Sequence, residues 1–140
     1  MTAAATTPSP SIPKTTVAVW AGRGLTGLFT AFMAFDIGIK LARLPIVEET
    51  GRQLGLPAGS GFAIGAGELV LLALYLFPRT AALGAVLLTG LFGGTIALHW
   101  VRSDPLASHI LFGVYLGLIA WGGLWLRDAR LRAVFPLRRG

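Results

Sequence analysis

Cysteine is missing from all 140 residues, which excludes a disulfide framework, thiolate metal sites and any thiol relay carried by this chain itself. Charge is also scarce. Asp, Glu, Lys and Arg make up 13% of the chain against 54% hydrophobic residues, with a mean hydropathy of +0.72, a balance that a water-soluble domain of this length would struggle to keep in solution. No GxGxxG follows a strand pattern, and there is no nucleophile elbow, HExxH or Ser-His-Asp order, so dinucleotide binding, zinc hydrolysis and triad chemistry have no support. No spacing suits a metal ligand set. The net charge of +6 does not imply nucleic acid, because the basic residues flank apolar runs instead of forming a patch interleaved with polar surface.

What is present is a set of long apolar runs. Val17 to Leu44 is the most informative, since its 28 residues span about 42 Å as a helix, against ~30 Å of bilayer hydrocarbon. It carries Asp36, Lys40 and Arg43 inside or near the apolar zone. At 100° per residue Phe29, Phe32, Met33, Lys40 and Arg43 share the Asp36 face, and Gly27, Ala31, Ala34 and Gly38 lie opposite. Three further runs, Ala58 to Phe77, Thr80 to Val101 and Leu106 to Leu126, each approach the ~20 residues of a span. The short connections between them make sequential helices antiparallel neighbours. The expected fold is therefore all-α: an integral membrane, antiparallel four-helix bundle with up-down-up-down topology.

Around this transmembrane domain, residues 17–132, the composition predicts a disordered N-terminal tail over 1–16, rich in Thr, Ala, Pro and Ser, and a basic C-terminal tail over 133–140. The N-terminal stretch lacks a basic n-region and leads into an apolar run too long for a cleavable signal, so the first helix is expected to remain in the mature protein. The segment PIVEETGRQLGLP, bounded by Pro45 and Pro57, reads as a short interfacial turn or helix, either a plain connector or a lid over the bundle. Lys14, Arg23, Arg79, Arg127, Arg130, Arg132, Arg138 and Arg139 fall on the side of both termini, against Lys40, Arg43, Arg52 and Arg102 opposite. That asymmetry places both termini in the cytoplasm. Trp20, Trp100, Trp121 and Trp125 lie near span ends, as interfacial anchors do.

The candidate site follows from depth. Counted from the outer ends, Asp36 and the sole acid of the second span, Glu68, lie about 12 and 15 Å inside. Two carboxylates at similar depth near Lys40 form the best catalytic candidate, because lipid exposure of an ionised group costs ~2.5 to 3.5 kcal/mol at the bilayer centre. Asp36 and Lys40, spaced i, i+4, can pair along one helix. The structural alternative is an ion pair fixing helix register. Arg43, Tyr75, Thr95, His99 and His109 join Lys40 as ligand-binding candidates; Arg43 can instead snorkel to the interface, and the histidines can be interfacial. Of the two, His99 is the better candidate, since its face continues inward through Thr95.

The segments FDIGIKL, LGLP, GELVLLALYLFPRTAALGAVLLTGLFGGTIALH and WGGLWLRDARLR together resemble the DoxX-like family of small four-helix bacterial membrane proteins. The likeness runs over about Val17 to Arg132, with its strongest part from Gly67 through His99. It implies a multi-pass bundle in the bacterial inner membrane. The wider superfamily includes the membrane subunit of a thiosulfate:quinone oxidoreductase and a component of a membrane oxidoreductase complex that handles thiol and oxidative stress. The family's glycine-to-lysine segment corresponds to Gly38 and Lys40, and its second-helix acid to Glu68; it supplies no catalytic residue to transfer. The pattern of small multidrug-resistance exporters is not found around Asp36, and quinone-linked thiol oxidases need cysteines.

The leading functional expectation is a redox-linked membrane component whose outer-side pocket binds a quinone or other lipophilic molecule, with Lys40 holding an oxygen and an acid exchanging the proton. The competitors are an acid-base enzyme acting on an apolar substrate by isomerisation or epoxide opening, a proton-coupled small transporter, and a scaffold subunit. Expected partners are the lipid bilayer, a lipophilic small molecule and either a second copy or an oxidoreductase subunit. The small face of Gly27, Ala31, Ala34 and Gly38 suits contact between copies.

Overall fold

In a computed structural model, residues 14–134 are described, and every regular element among them is helical. Helix α1 runs Lys14–Leu41, α2 Pro45–Gln53, α3 Ser60–Leu76 and α4 Ala81–Val101; a π-helical turn, Leu106–Ile110, leads into α5, Phe112–Arg127, and α6 is Ala129–Val134. Among the described residues, three stretches are long and apolar enough to cross a membrane: Thr16–Leu41, Ala81–Val101 and Leu106–Arg127. The remaining apolar helix, α3, has 17 residues and reaches about 25 Å, a little less than the hydrocarbon thickness. The expected tails lie mostly outside the described residues, although α1 begins at Lys14, three residues before the expected start, and α6 enters the expected C-terminal tail.

Local chemistry sets the boundaries. Pro45 disfavours helical backbone at Leu44, which is extended at φ −60°, ψ 143° and caps α2 with proline in its first turn. Arg43 turns the corner in the left-handed region at φ 52°. Consequently α1 ends at Leu41 instead of Leu44, and the PIVEETGRQ segment forms a helix of its own. Phe77 is extended ahead of Pro78 and ends α3. After α4, Ser103 adopts φ 59°, and the chain re-enters helix through i to i+5 bonds, with Leu111 N donating to Leu106 O at 2.8 Å. Sequence periodicity gave a single helix from Leu106; the π turn inserts a residue and rotates everything before Phe112 relative to α5.

Helix α1 packs on α3 and α5, and α4 packs on the same two, so the four apolar helices enclose one core. Phe29, Met33, Tyr75, Leu88 and Leu124 are its largest fully buried side chains. Phe29 meets Tyr75 edge-on at 5.2 Å and Phe92 at 6.2 Å, so an aromatic set ties α1, α3 and α4 at mid-height. Close approach is enforced at several glycines, Gly65 and Gly84 among them. A Cβ on Gly84 would overlap the backbone of Leu74 and Tyr75, and a Cβ on Gly65 would stand 2.7 Å from the Lys40 Cβ; any larger residue would push α4 from α3 or α1 from α3. Outward faces are apolar, including Phe35, Leu118 and Val101, which leaves the bundle clothed for lipid. The small α1 face of Gly27, Ala31, Ala34 and Gly38 is exposed as well.

Candidate functional site

Gly65 brings the end of α1 against α3 at the level where Lys40 and Glu68 face one another. The Lys40 ammonium donates to Asp36 Oδ2 at 2.5 Å, one turn back along α1, and to both Glu68 oxygens across the helix interface, at 2.7 and 2.8 Å. One cation thus bridges two carboxylates. The surroundings of the two acids differ: the Glu68 side chain is 6% exposed and that of Asp36 26%. With both carboxylates ionised the trio carries a net charge of −1, and a single added proton makes it neutral. Three donor directions on the ammonium are committed to carboxylates, and the Lys40 bond to Asp36 is made to Oδ2, not Oδ1.

The trio forms the polar wall of a cavity of about 310 Å³, at the small end of the ~300 to 1,000 Å³ typical of ligand sites. Phe32 and Met33 of α1, Phe92 and Leu98 of α4, and Leu116 of α5 provide apolar walls. Helix α2 and its C-cap close another side with Val47, Thr50 and Leu54, and the helix is held to the start of α3 by Glu48 Oε2, which accepts the Gly59 N–H at 3.2 Å. His99 lines the cavity beside Thr95. Its Nδ1 lies 2.7 Å from Asp104 Oδ2, and Arg102 Nε lies 3.4 Å from the same oxygen. The hydrogen bond to His99, aided by the Arg102 charge, holds the Asp104 carboxyl below its ordinary value against a desolvation effect in the other direction.

The family model for the DoxX-like family matches residues 24–123, a stretch that includes the whole trio and His99. The chain belongs to the DoxX-like family. Comparison with curated proteins and with solved structures returned no match. Membership of this family, with three candidate spans, makes the chain a small membrane protein.

Of the residues singled out from the sequence, Asp36, Lys40, Glu68, Thr95 and His99 line one cavity in this DoxX-like chain. Arg43, Tyr75 and His109 do not. The Arg43 guanidinium lies over the Phe62 ring at 4.6 Å, where it shields an exposed aromatic at the start of α3. Tyr75 is fully buried, and its hydroxyl donates to Ala120 O at 2.7 Å; it ties α3 to α5 about two turns below Glu68. His109 sits in the π turn with its ring 5.5 Å from that of His99 and its Nδ1 2.8 Å from Ser108 Oγ. Val47, Thr50 and Leu54 also line the cavity and were not among the candidates named from the sequence. The signal for them was the lid alternative for the Pro45–Pro57 segment, whose apolar residues needed a surface to cover.

Proposed function

We propose that this DoxX-like protein is a redox-linked component of the bacterial inner membrane, arranged up-down-up-down with both termini cytoplasmic, that binds a quinone/quinol or similar lipophilic molecule in its outer-side pocket. The supporting observation is one ammonium shared between two carboxylates at the polar wall of an otherwise apolar cavity. A volume of about 310 Å³ suits a ring-sized headgroup, with an isoprenoid chain left among lipids. Because Lys40 is already committed to carboxylates, the ligand group this wall favours is a hydroxyl donating to Asp36 Oδ1, which fits the reduced, quinol form. The cluster can take up that proton, since one proton neutralises it. Orientation rests on the excess of Lys and Arg on the side of the termini.

The test is purification in native lipid, extraction and chromatographic identification of bound isoprenoid quinone, followed by titration with a short-chain quinol. Retention by the native protein that falls about tenfold in Asp36→Asn, by the loss of one charge-assisted hydrogen bond, is the expected result. No quinone or isoprenoid in the native protein, together with no saturable quinol binding, would overturn the reading. The unequal exposure of Asp36 and Glu68 also favours a second reading, an enzyme in which the two acids hold different protonation states. It differs in requiring turnover of an apolar substrate, lost in Asp36→Asn and Glu68→Gln while both variants remain folded.

A further inference from the structure

We propose that the opposite end of the bundle holds a second site, an arginine-lined recess that binds the phosphate of an anionic membrane lipid. From Asp36 back to Arg23 is 13 residues of α1, about 20 Å, and at that depth the structure has a cavity of about 580 Å³. Arg23 from α1, Arg79 from the α3–α4 corner, Arg127 from the end of α5 and Arg130 from α6 all line it. Three regions far apart in sequence, α1, the α3–α4 corner and the α5–α6 junction, therefore bring four arginines to the lining of one concavity.

Little inside the protein neutralises them. The lone acid of the recess, Asp128, is occupied as the cap of α6, its Oδ1 accepting the N–H groups of Arg130 at 2.9 Å and Leu131 at 3.4 Å. Counting it, the recess still carries a net charge of +3. Among the described residues no ion pair forms here, whereas at the carboxylate end Arg52 pairs with Glu49 and Arg102 with Asp104. Arg23 lies over the Trp20 ring at 5.0 Å. Arg127 Nη2 donates to Tyr75 O at 3.3 Å, and the side chain lies 5.4 Å from the Tyr75 ring centre. Its Nε–H, however, is buried without a hydrogen-bond partner, the kind of group native structures rarely leave unsatisfied.

A bias of arginines to one membrane face explains which side they occupy, but not why they converge on a recess. Guanidinium groups in a fork geometry suit phosphate oxygens, and basic recesses between transmembrane helices suit acidic headgroups. The half-buried Val19 in the lining and the exposed Phe77, which precedes the lining residue Pro78, offer acyl chains an apolar margin at the headgroup site. A phosphodiester lipid fits both the charge and this apolar margin; free inorganic phosphate shares only the first.

The test is native mass spectrometry of the full chain released from detergent with phosphatidylglycerol, phosphatidylcholine or inorganic phosphate. Arg79 and Arg130 are exposed, so the double variant Arg79→Gln/Arg130→Gln should fold. Its control is Arg43→Gln/Arg52→Gln, which removes the same charge at the other end. The native protein is expected to retain phosphatidylglycerol about tenfold over phosphatidylcholine; the recess variant should lose that preference and the control keep it. Displacement of the lipid by millimolar inorganic phosphate would support the site and identify the free anion as a competent occupant. Equal retention of both lipids by the native protein, or the same loss in both double variants, would overturn it.

Discussion

Replacing Lys40 by Met removes the shared cation while keeping most of the stem that packs against Gly65. Two carboxylates then face each other, one of them only 6% exposed. Breaking a buried ion pair from one side costs about 3 to 5 kcal/mol. Lys40 is 20% and Asp36 26% exposed, so water recovers part of this, and a loss of about 2 to 3 kcal/mol is expected. Glu68→Gln should cost less, about 1 kcal/mol, because Lys40 keeps Asp36 and the amide oxygen still accepts a hydrogen bond. Replacing all three together, Asp36→Leu/Lys40→Met/Glu68→Leu, should return much of the stability, since an apolar set of similar volume leaves no charge unpaired. Reversible unfolding in mixed micelles, read by circular dichroism, gives the four free energies. A cost under about 0.5 kcal/mol for Lys40→Met, or a triple variant less stable than Lys40→Met, would refute the role of Lys40 as the shared counter-charge.

Gly65→Leu should force α1 and α3 apart at the trio and cost about 1 to 3 kcal/mol, with quinol binding lost before the fold is; retained binding would show that the close approach does not position Lys40. Tyr75→Phe should cost about 1 kcal/mol of stability, the hydroxyl's bond to Ala120 O, and leave ligand affinity unchanged, as a titration with each variant would show. The lowered Asp104 value has a defined sign: its ionised, His99-bonded form contributes stability that is present above the ordinary carboxylate value of 3.8 and is lost as pH falls through the folded value. Melting curves in that acid range should therefore fall for the native protein more steeply than for Asp104→Asn; parallel curves would refute this link.

The helical class and the membrane character were legible from run length alone, because a span must supply its own backbone hydrogen bonds and so appears as ~20 consecutive apolar residues. The Asp36–Lys40 pair was legible for a similar reason: a turn of helix places i and i+4 side by side whatever surrounds them. Depth counting also set Glu68 level with Asp36, and the structure joins them through one ammonium. The direction in which Tyr75 points was not legible. Periodicity puts it on the Glu68 face, but the packing of α3 against α5 gives its hydroxyl to Ala120. His99 and His109 both read as residues at the mouth of the bundle, with His99 preferred because its face continues through Thr95, and the end of α4 does bring His99 to the cavity while His109 sits in the π turn outside its lining. Helix α2 as a cavity wall, and four arginines converging from separate elements, were likewise decided by tertiary structure. Rise and rotation along one helix are local quantities that a residue count supplies, whereas the azimuth of each helix toward its neighbours depends on close approaches, such as those at Gly65 and Gly84, that exist only once the chain has folded.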